Sequence, residues 1–88
     1  MEKYYRHYKG GVYRYVGIAR DTETLEEKVV YQAMDGDRQI WIRPKADFFG
    51  KVEQDGRALD RFTELSDAQA LPWELGIDPE TWKDEPPF

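Results

Sequence analysis

The sequence predicts an all-β fold, a small SH3-like barrel of about five strands with a short, partly helical C-terminal extension. Three observations lead there. Runs rich in Tyr, Val and Ile alternate with Gly- and Asp-containing breaks at short, regular spacing. One stretch, residues 29–44 (VVYQAMDGDRQIWIRP), has the form of a β-hairpin. A chain of 88 residues makes one domain with a thin core, and its 15% aromatic content supplies large buried areas per residue. An OB-like barrel is the alternative arrangement of the same strands.

The elements follow in order. Residues 4–8 (YYRHY) form a first strand, with Tyr5 and His7 on one side and Tyr4, Arg6 and Tyr8 on the other. Lys9-Gly10-Gly11 is a turn, because paired glycines accept positive φ. Residues 12–20 form a second strand with two partly apolar faces, and Gly17 within it marks a bend, a bulge or a close backbone approach. Residues 21–27 are a polar connection in which Asp21 and Thr22 can bond to nearby backbone.

The hairpin comes next. With two or four residues in its Asp35–Arg38 loop, Val29, Tyr31 and Ala33 share a face with Ile40 and Ile42. Gln32 and Met34 then share the other with Trp41 and Arg43. Pro44 ends the second arm. Asp47 is placed to cap a single helical turn, with Phe48 or Phe49 docking it on the core. A weak strand at 51–53, a turn at Gln54-Asp55-Gly56 and a last strand at 57–62 complete the barrel.

The division is residues 1–62 for the barrel and 63–88 for the extension. In the extension, Ser66 and Gln69 match a helix capping box, and Leu71-Pro72 limits that helix to one or two turns. A second short helical start follows at Asp78-Pro79. Trp73, Leu75, Ile77 and Trp82 are too apolar for a solvated tail, so part of the segment is expected to pack on the barrel or on a neighbouring chain.

Composition removes several functions. With no cysteine there is no disulfide, thiolate metal site or cysteine nucleophile, which suits a cytoplasmic location. No apolar run approaches the roughly 20 residues that span a bilayer, and the first residues precede no signal-peptide core, so neither membrane insertion nor secretion is expected. The net charge of −5 is uneven. Residues 63–88 carry seven carboxylates against one lysine, a net −6, which leaves +1 for residues 1–62. The basic stripe usual in nucleic-acid binders is absent.

The blocks Tyr5–Tyr13 (YRHYKGGVY), Thr22–Glu26 (TETLE), Val29–Tyr31 (VVY) and Trp41–Pro44 (WIRP), with Phe48 and Arg61-Phe62, resemble DUF1653, a family of small bacterial domains of unknown function. The resemblance covers residues 4–62 and leaves out the acidic tail. It implies an SH3-like barrel and supplies no catalytic residue. Tyr15 departs from the aliphatic residue typical there.

The candidate site is an aromatic and basic surface. His7 is the one histidine, suited to acid–base work or phosphate contact, although a strand histidine is more often a hydrogen-bonded structural residue. Arg6, Tyr8, Tyr13, Gln32, Trp41 and Arg43 complete it, and cations beside rings suit peptides, anionic molecules or stacked bases. The competing reading of the rings is core; that of Arg43 or Arg20 is an ion pair with Glu23 or Glu26 that fixes the loop. Asp35 and Asp37 are a turn before they are a metal site, and no phosphate-binding Gly-rich loop occurs, so no metal or cofactor is expected.

The function these features point to is a non-catalytic binding module for a peptide, a protein partner or a small anionic ligand. Single-stranded nucleic acid is the less favoured ligand. Homodimerisation through Trp73, Ile77 and Trp82 is a further alternative. An enzyme built on His7 with Glu23 or Glu26 has no spacing to support it.

Overall fold

The computed structural model describes residues 2–76. Strands β1 (Tyr4–His7), β2 (Val12–Arg20), β3 (Glu27–Ala33), β4 (Ile40–Pro44) and β7 (Phe62–Glu64) form one antiparallel sheet in the order β4-β3-β2-β1-β7. A separate two-stranded ribbon pairs β5 (Lys51–Gln54) with β6 (Arg57–Asp60). Helix α1 (Lys45–Phe48) links β4 to the ribbon, and α2 (Asp67–Glu74) follows β7. The fold is all-β. Among the described residues β4 and β7 are the two margins of the sheet and do not pair with each other. The stretch expected as one strand at 57–62 divides, because β6 turns back on β5 while Phe62 begins a strand against β1.

Sequence signals explain most of the turns. Gly10 and Gly11 both take positive φ, and the His7 N–H donates to the Gly11 carbonyl at 3.0 Å, closing the first hairpin. The Asp21 carboxylate accepts from the Glu23 and Thr24 N–H groups at 2.8 and 3.0 Å, which builds the β2–β3 loop. Those two bonds hold the carboxyl below its usual range. Between Tyr15 and Gly17 the β2–β3 register slips by one residue, a bulge at the glycine position. As a result Ile18 lies opposite Val29, so the strand's simple alternation breaks there.

The central hairpin corrects the expected faces. Ala33 donates to Gln39 at 3.0 Å, and Tyr31 lies opposite Trp41, with Val29 opposite Arg43. The loop therefore holds five residues, Met34 to Arg38. Gly36 and Arg38, both at positive φ, accommodate the extra one. An odd loop reverses the parity that a two- or four-residue loop would give. Trp41 and Arg43 consequently share the face of Val29, Tyr31 and Ala33, while Ile40 and Ile42 share the opposite face with Gln32 and Val30.

Each face of the sheet carries a core cluster. On one, Tyr5, Val29, Tyr31, Phe48 and Phe62 are buried, with Tyr13 and Tyr15 packed against them. Phe48 and Phe62 stack at 4.1 Å and 11°, the parallel pair at the centre of a set of mostly tilted and edge-on rings. On the other, Tyr4, Val12, Leu65 and Ala70 are buried, and Met34 and Trp73 pack against them. Helix α2 thus lies against the β1–β2 end of the sheet. Ser66 caps it: its hydroxyl accepts from the Gln69 N–H at 3.2 Å, and the Gln69 amide accepts from the Ser66 N–H at 2.9 Å. The second helical start at Asp78-Pro79, with Ile77 and Trp82, lies outside the described residues.

Helix α1 is a single turn, and Pro44 rather than Asp47 occupies its N-cap position, with no side-chain cap. Asp47 lies inside the turn and offers its backbone carbonyl to the Arg61 Nε–H at 3.1 Å. Of the two phenylalanines, Phe48 is fully buried and Phe49 is half exposed. No helix of the described residues is long and apolar enough to cross a membrane.

Candidate functional site

The register places His7 (β1) directly opposite Phe62 (β7), with ring centroids 4.9 Å apart in an edge-on arrangement. Tyr8 stacks obliquely on His7 at 4.6 Å, and the Lys9 ammonium lies 5.7 Å from the Tyr8 ring centroid. Tyr13 stands edge-on to Tyr31 at 5.3 Å. Arg43 reaches in from β4, and its Nε–H donates to the Tyr31 hydroxyl at 3.4 Å. The Tyr8 N–H donates to the Arg61 carbonyl at 3.0 Å, which ties the β6–β7 junction to the same corner.

His7 is half-buried. Its Nδ1 accepts from the Lys9 N–H at 3.2 Å, so the neutral ring carries its proton on Nε2. Burial lowers its pKa below the ordinary 6.5, and the charges of Arg43, Arg61 and Lys9 lower it further. Three cations therefore act on one neutral imidazole. Among the described residues none of the three is paired with a carboxylate; the ion pairs present use Arg14, Arg20, Lys28, Lys45 and Lys51. Burial also raises the Tyr13 hydroxyl, an effect that Arg43 opposes.

The depressed His7 sets a pH dependence. Above pH 6.5 the ring is neutral whether the chain is folded or unfolded. As pH falls through 6.5 the unfolded chain takes up the proton first, so stability declines until the folded-state pKa is passed. Urea unfolding of the wild type and His7→Gln across this window should show a slope that the variant lacks. Asp21 and Glu27, whose ordinary values are 3.8 and 4.5 and whose folded values are lower, act only in the more acid range.

The expected site residues divide. His7, Tyr8, Tyr13 and Arg43 come together. Trp41 shares their face but sits on the marginal strand and is 51% exposed. Arg6 is exposed, opposite Val12 and Thr63 on the other face. Gln32 also lies there: its carbonyl oxygen accepts from Arg14 at 3.0 Å and its amide donates to the Arg38 carbonyl at 3.1 Å. Arg61 and Tyr31 were absent from the expected set. Tyr31 follows once the hairpin loop is given five residues; Arg61 stands out in the sequence only within the Arg61-Phe62 block of the family resemblance, which assigns it no role.

The anticipated pairing of Glu23 or Glu26 with Arg43 or Arg20 is not formed. Glu26 pairs with Lys28 at 2.8 Å, and Arg20 pairs with Glu27 at 3.4 Å and donates to the Leu25 carbonyl. The reason is again parity: Arg43 turns to the Tyr31 face, and Glu27 lies directly across from Arg20 in the ladder. Glu27 also accepts from Lys45 at 3.1 Å, which holds its carboxyl below the usual range. Arg20, Glu26, Glu27 and Lys45 rim an open groove of about 630 Å³ between the β2–β3 loop and α1, with Leu25 and Phe49 among its walls. Among the described residues no three His, Asp or Glu side chains gather as a metal site.

A solved structure described as a protein belonging to DUF1653 from Bordetella bronchiseptica is similar to this chain, with a TM-score of 0.66 and 29% sequence identity, covering 75% of this chain and 87% of that one. No curated protein matches. The family model for DUF1653, proteins of unknown function, matches residues 3–64, a span that runs from the start of β1 through β7. The chain belongs to the DUF1653 family.

Proposed function

We propose that the corner formed by His7, Tyr8, Tyr13, Arg43 and Arg61 is the anion-binding site of a non-catalytic binding module. The observation that carries this reading is the cluster of Arg43 bonded to Tyr31, Arg61 bonded through its carbonyl to Tyr8, and Lys9 beside the Tyr8 ring that stacks on His7, with no described carboxylate paired to any of the three. Each guanidinium spends its Nε–H inside the protein, Arg43 on Tyr31 and Arg61 on the Asp47 carbonyl. The remaining fork of each suits the oxygens of a phosphate or carboxylate. Tyr8 and Tyr13 give flat apolar surface beside the charge, so the ligand class is a small anion carrying a planar group, or an acidic peptide with an aromatic neighbour.

The experiment is an NMR titration of His7 with inorganic phosphate and with a nucleoside monophosphate. A bound anion favours the imidazolium, so the His7 pKa should rise on addition of either. Arg43→Ala and Arg61→Ala should each weaken binding by roughly tenfold or more, the value of a lost charge-assisted hydrogen bond of about 1.5–3 kcal/mol. Unchanged far-UV circular dichroism would show that the fold survives. No movement of the His7 resonances with either anion would overturn the reading.

A further inference from the structure

We infer that β4 is a self-association edge at which a second copy of this chain adds, antiparallel, about a two-fold axis through Trp41. The inference is independent of the anion site. Among the described residues strand β4 pairs on one side only, with β3. The bond from Ala33 N–H to the Gln39 carbonyl makes Ala33 and Gln39 a hydrogen-bonded pair. In an antiparallel ladder such pairs recur every second residue, so Trp41 and Arg43 bond inward to β3. The backbone N–H and C=O of Ile40 and Ile42 therefore point outward.

Among the described residues the Ile40–Ile42 segment lacks the usual protection of a sheet margin, with Pro44 standing only at the strand's end. Such margins are blunted by charged side chains, proline, a bulge or brevity. Ile40, Trp41 and Ile42 are 53%, 51% and 64% exposed and carry no charge. Arg43 turns inward to Tyr31. The opposite margin, β7, has three residues, two of them Thr63 and Glu64. At β4, among the described residues, the Gln39 side chain acts as a local substitute: its amide donates to the Ile40 carbonyl at 3.1 Å. A partner strand's N–H would replace it.

One register uses all the outward groups. Centred on Trp41, Ile40 faces Ile42 of the other copy and exchanges two hydrogen bonds with it, and symmetry supplies two more. Trp41 then meets its own copy as the closely spaced, non-bonded pair. Centring on Ile42 would set Ile40 against Pro44, which has no N–H to give. Centring on Ile40 would set Ile42 against Arg38, which lies in the loop at positive φ. In the Trp41 register Arg43 lies opposite Gln39, so no like charges face each other. A standard interface buries about 800 Å² per partner. Three half-exposed side chains on a five-residue strand provide less, so the dimer is weak and reversible.

Sedimentation velocity on the full chain from micromolar to millimolar concentration tests this, together with amide exchange of Ile40 and Ile42 over the same range. The expected result is a concentration-dependent monomer–dimer equilibrium in which those two amides slow as the dimer fills. Ile42→Lys, at an exposed position, should abolish association while the thermal midpoint stays near that of the wild type. Should that variant fail to fold, the concentration dependence of the wild-type amides decides alone. A monomer at every concentration overturns the inference, as does a dimer whose Ile40 and Ile42 amides exchange freely. A monomer in which both amides are already slow also overturns it, since residues 77–88 or another segment would then cover the edge.

Discussion

Phe48→Ala should destabilise the protein by about 3–5 kcal/mol, the usual cost of truncating a buried phenylalanine. Phe48 has no exposed surface, stacks on Phe62 at 4.1 Å, and meets Tyr5 and Tyr31 at 5.2 and 5.3 Å. It comes from a single helical turn with no side-chain cap, so the turn contributes little on its own and depends on this docked ring. Only nine described hydrophobic residues are buried, and they divide between two clusters on opposite faces of the sheet. Neither cluster can spread the loss widely. Small domains lie at the lower end of the roughly 5–15 kcal/mol range of native stability, so the variant should be partly unfolded at room temperature. Urea unfolding measures the change. Phe49→Ala is the control: its ring is half exposed, and its loss should cost under about 1 kcal/mol. Equal effects from the two would show that the turn, rather than the Phe48 ring, carries the stability.

Gly50→Ala should cost about 1–3 kcal/mol, although only one methyl group is added. A Cβ at Gly50 would stand 2.6 Å from the Ala46 carbonyl oxygen and 3.4 Å from that of Asp47. The obstacle is backbone and cannot rotate away. Nor can Gly50 retreat easily, since its N–H donates to Asp47 and its carbonyl accepts from Arg61 at 3.0 Å. The clash should loosen α1 and with it the seat of Phe48. Gly17→Ala separates this steric effect from the general cost of replacing glycine. Nothing lies within 4 Å of the added methyl there, and φ is outside the left-handed region, so its stability should stay near that of the wild type. Thermal unfolding of the pair gives the comparison. A Gly50→Ala midpoint matching that of Gly17→Ala would contradict the steric account.

What the sequence made legible was local chemistry. The Ser66–Gln69 capping box, the Gly10-Gly11 turn, the Asp21 loop bonds and the irregularity at Gly17 are all found where residue types alone put them. What failed was a count. Asp35-Gly36-Asp37-Arg38 signals a turn equally well with two, four or five residues in the loop. Because side chains alternate, that single residue moved Trp41 and Arg43 to the Tyr31 face and exposed Ile40 and Ile42. The candidate site was partly legible for the same reason. His7, Tyr8 and Tyr13 belong to one hairpin whose glycine turn fixes their order. Arg43 arrives from β4 and Arg61 from the β6–β7 junction, both distant in sequence, and no local pattern states their distance from His7. Gln32 looked like a site residue because its face was assigned from the wrong parity; its amide is spent on Arg14 and Arg38.

The β5–β6 ribbon has a consequence for where this domain can accept change. Its tip, Asp55 and Gly56, has positive φ at both residues, the geometry of a tight primed turn. Most of its side chains are exposed, and only Val52 and Leu59 are half-buried. Its base is closed by the Arg61-to-Gly50 bond, while an exposed Lys51–Asp60 pair spans the first rung. A two-stranded ribbon is marginal in water on its own. It should therefore open without breaking the five-stranded sheet, and its amides are expected to exchange through that local event rather than through unfolding of the whole domain. Foreign sequence placed between Asp55 and Gly56 would draw on the same independence. Each doubling of the loop there costs only about 0.6 kcal/mol in closure entropy, and both core clusters should stay in place behind it.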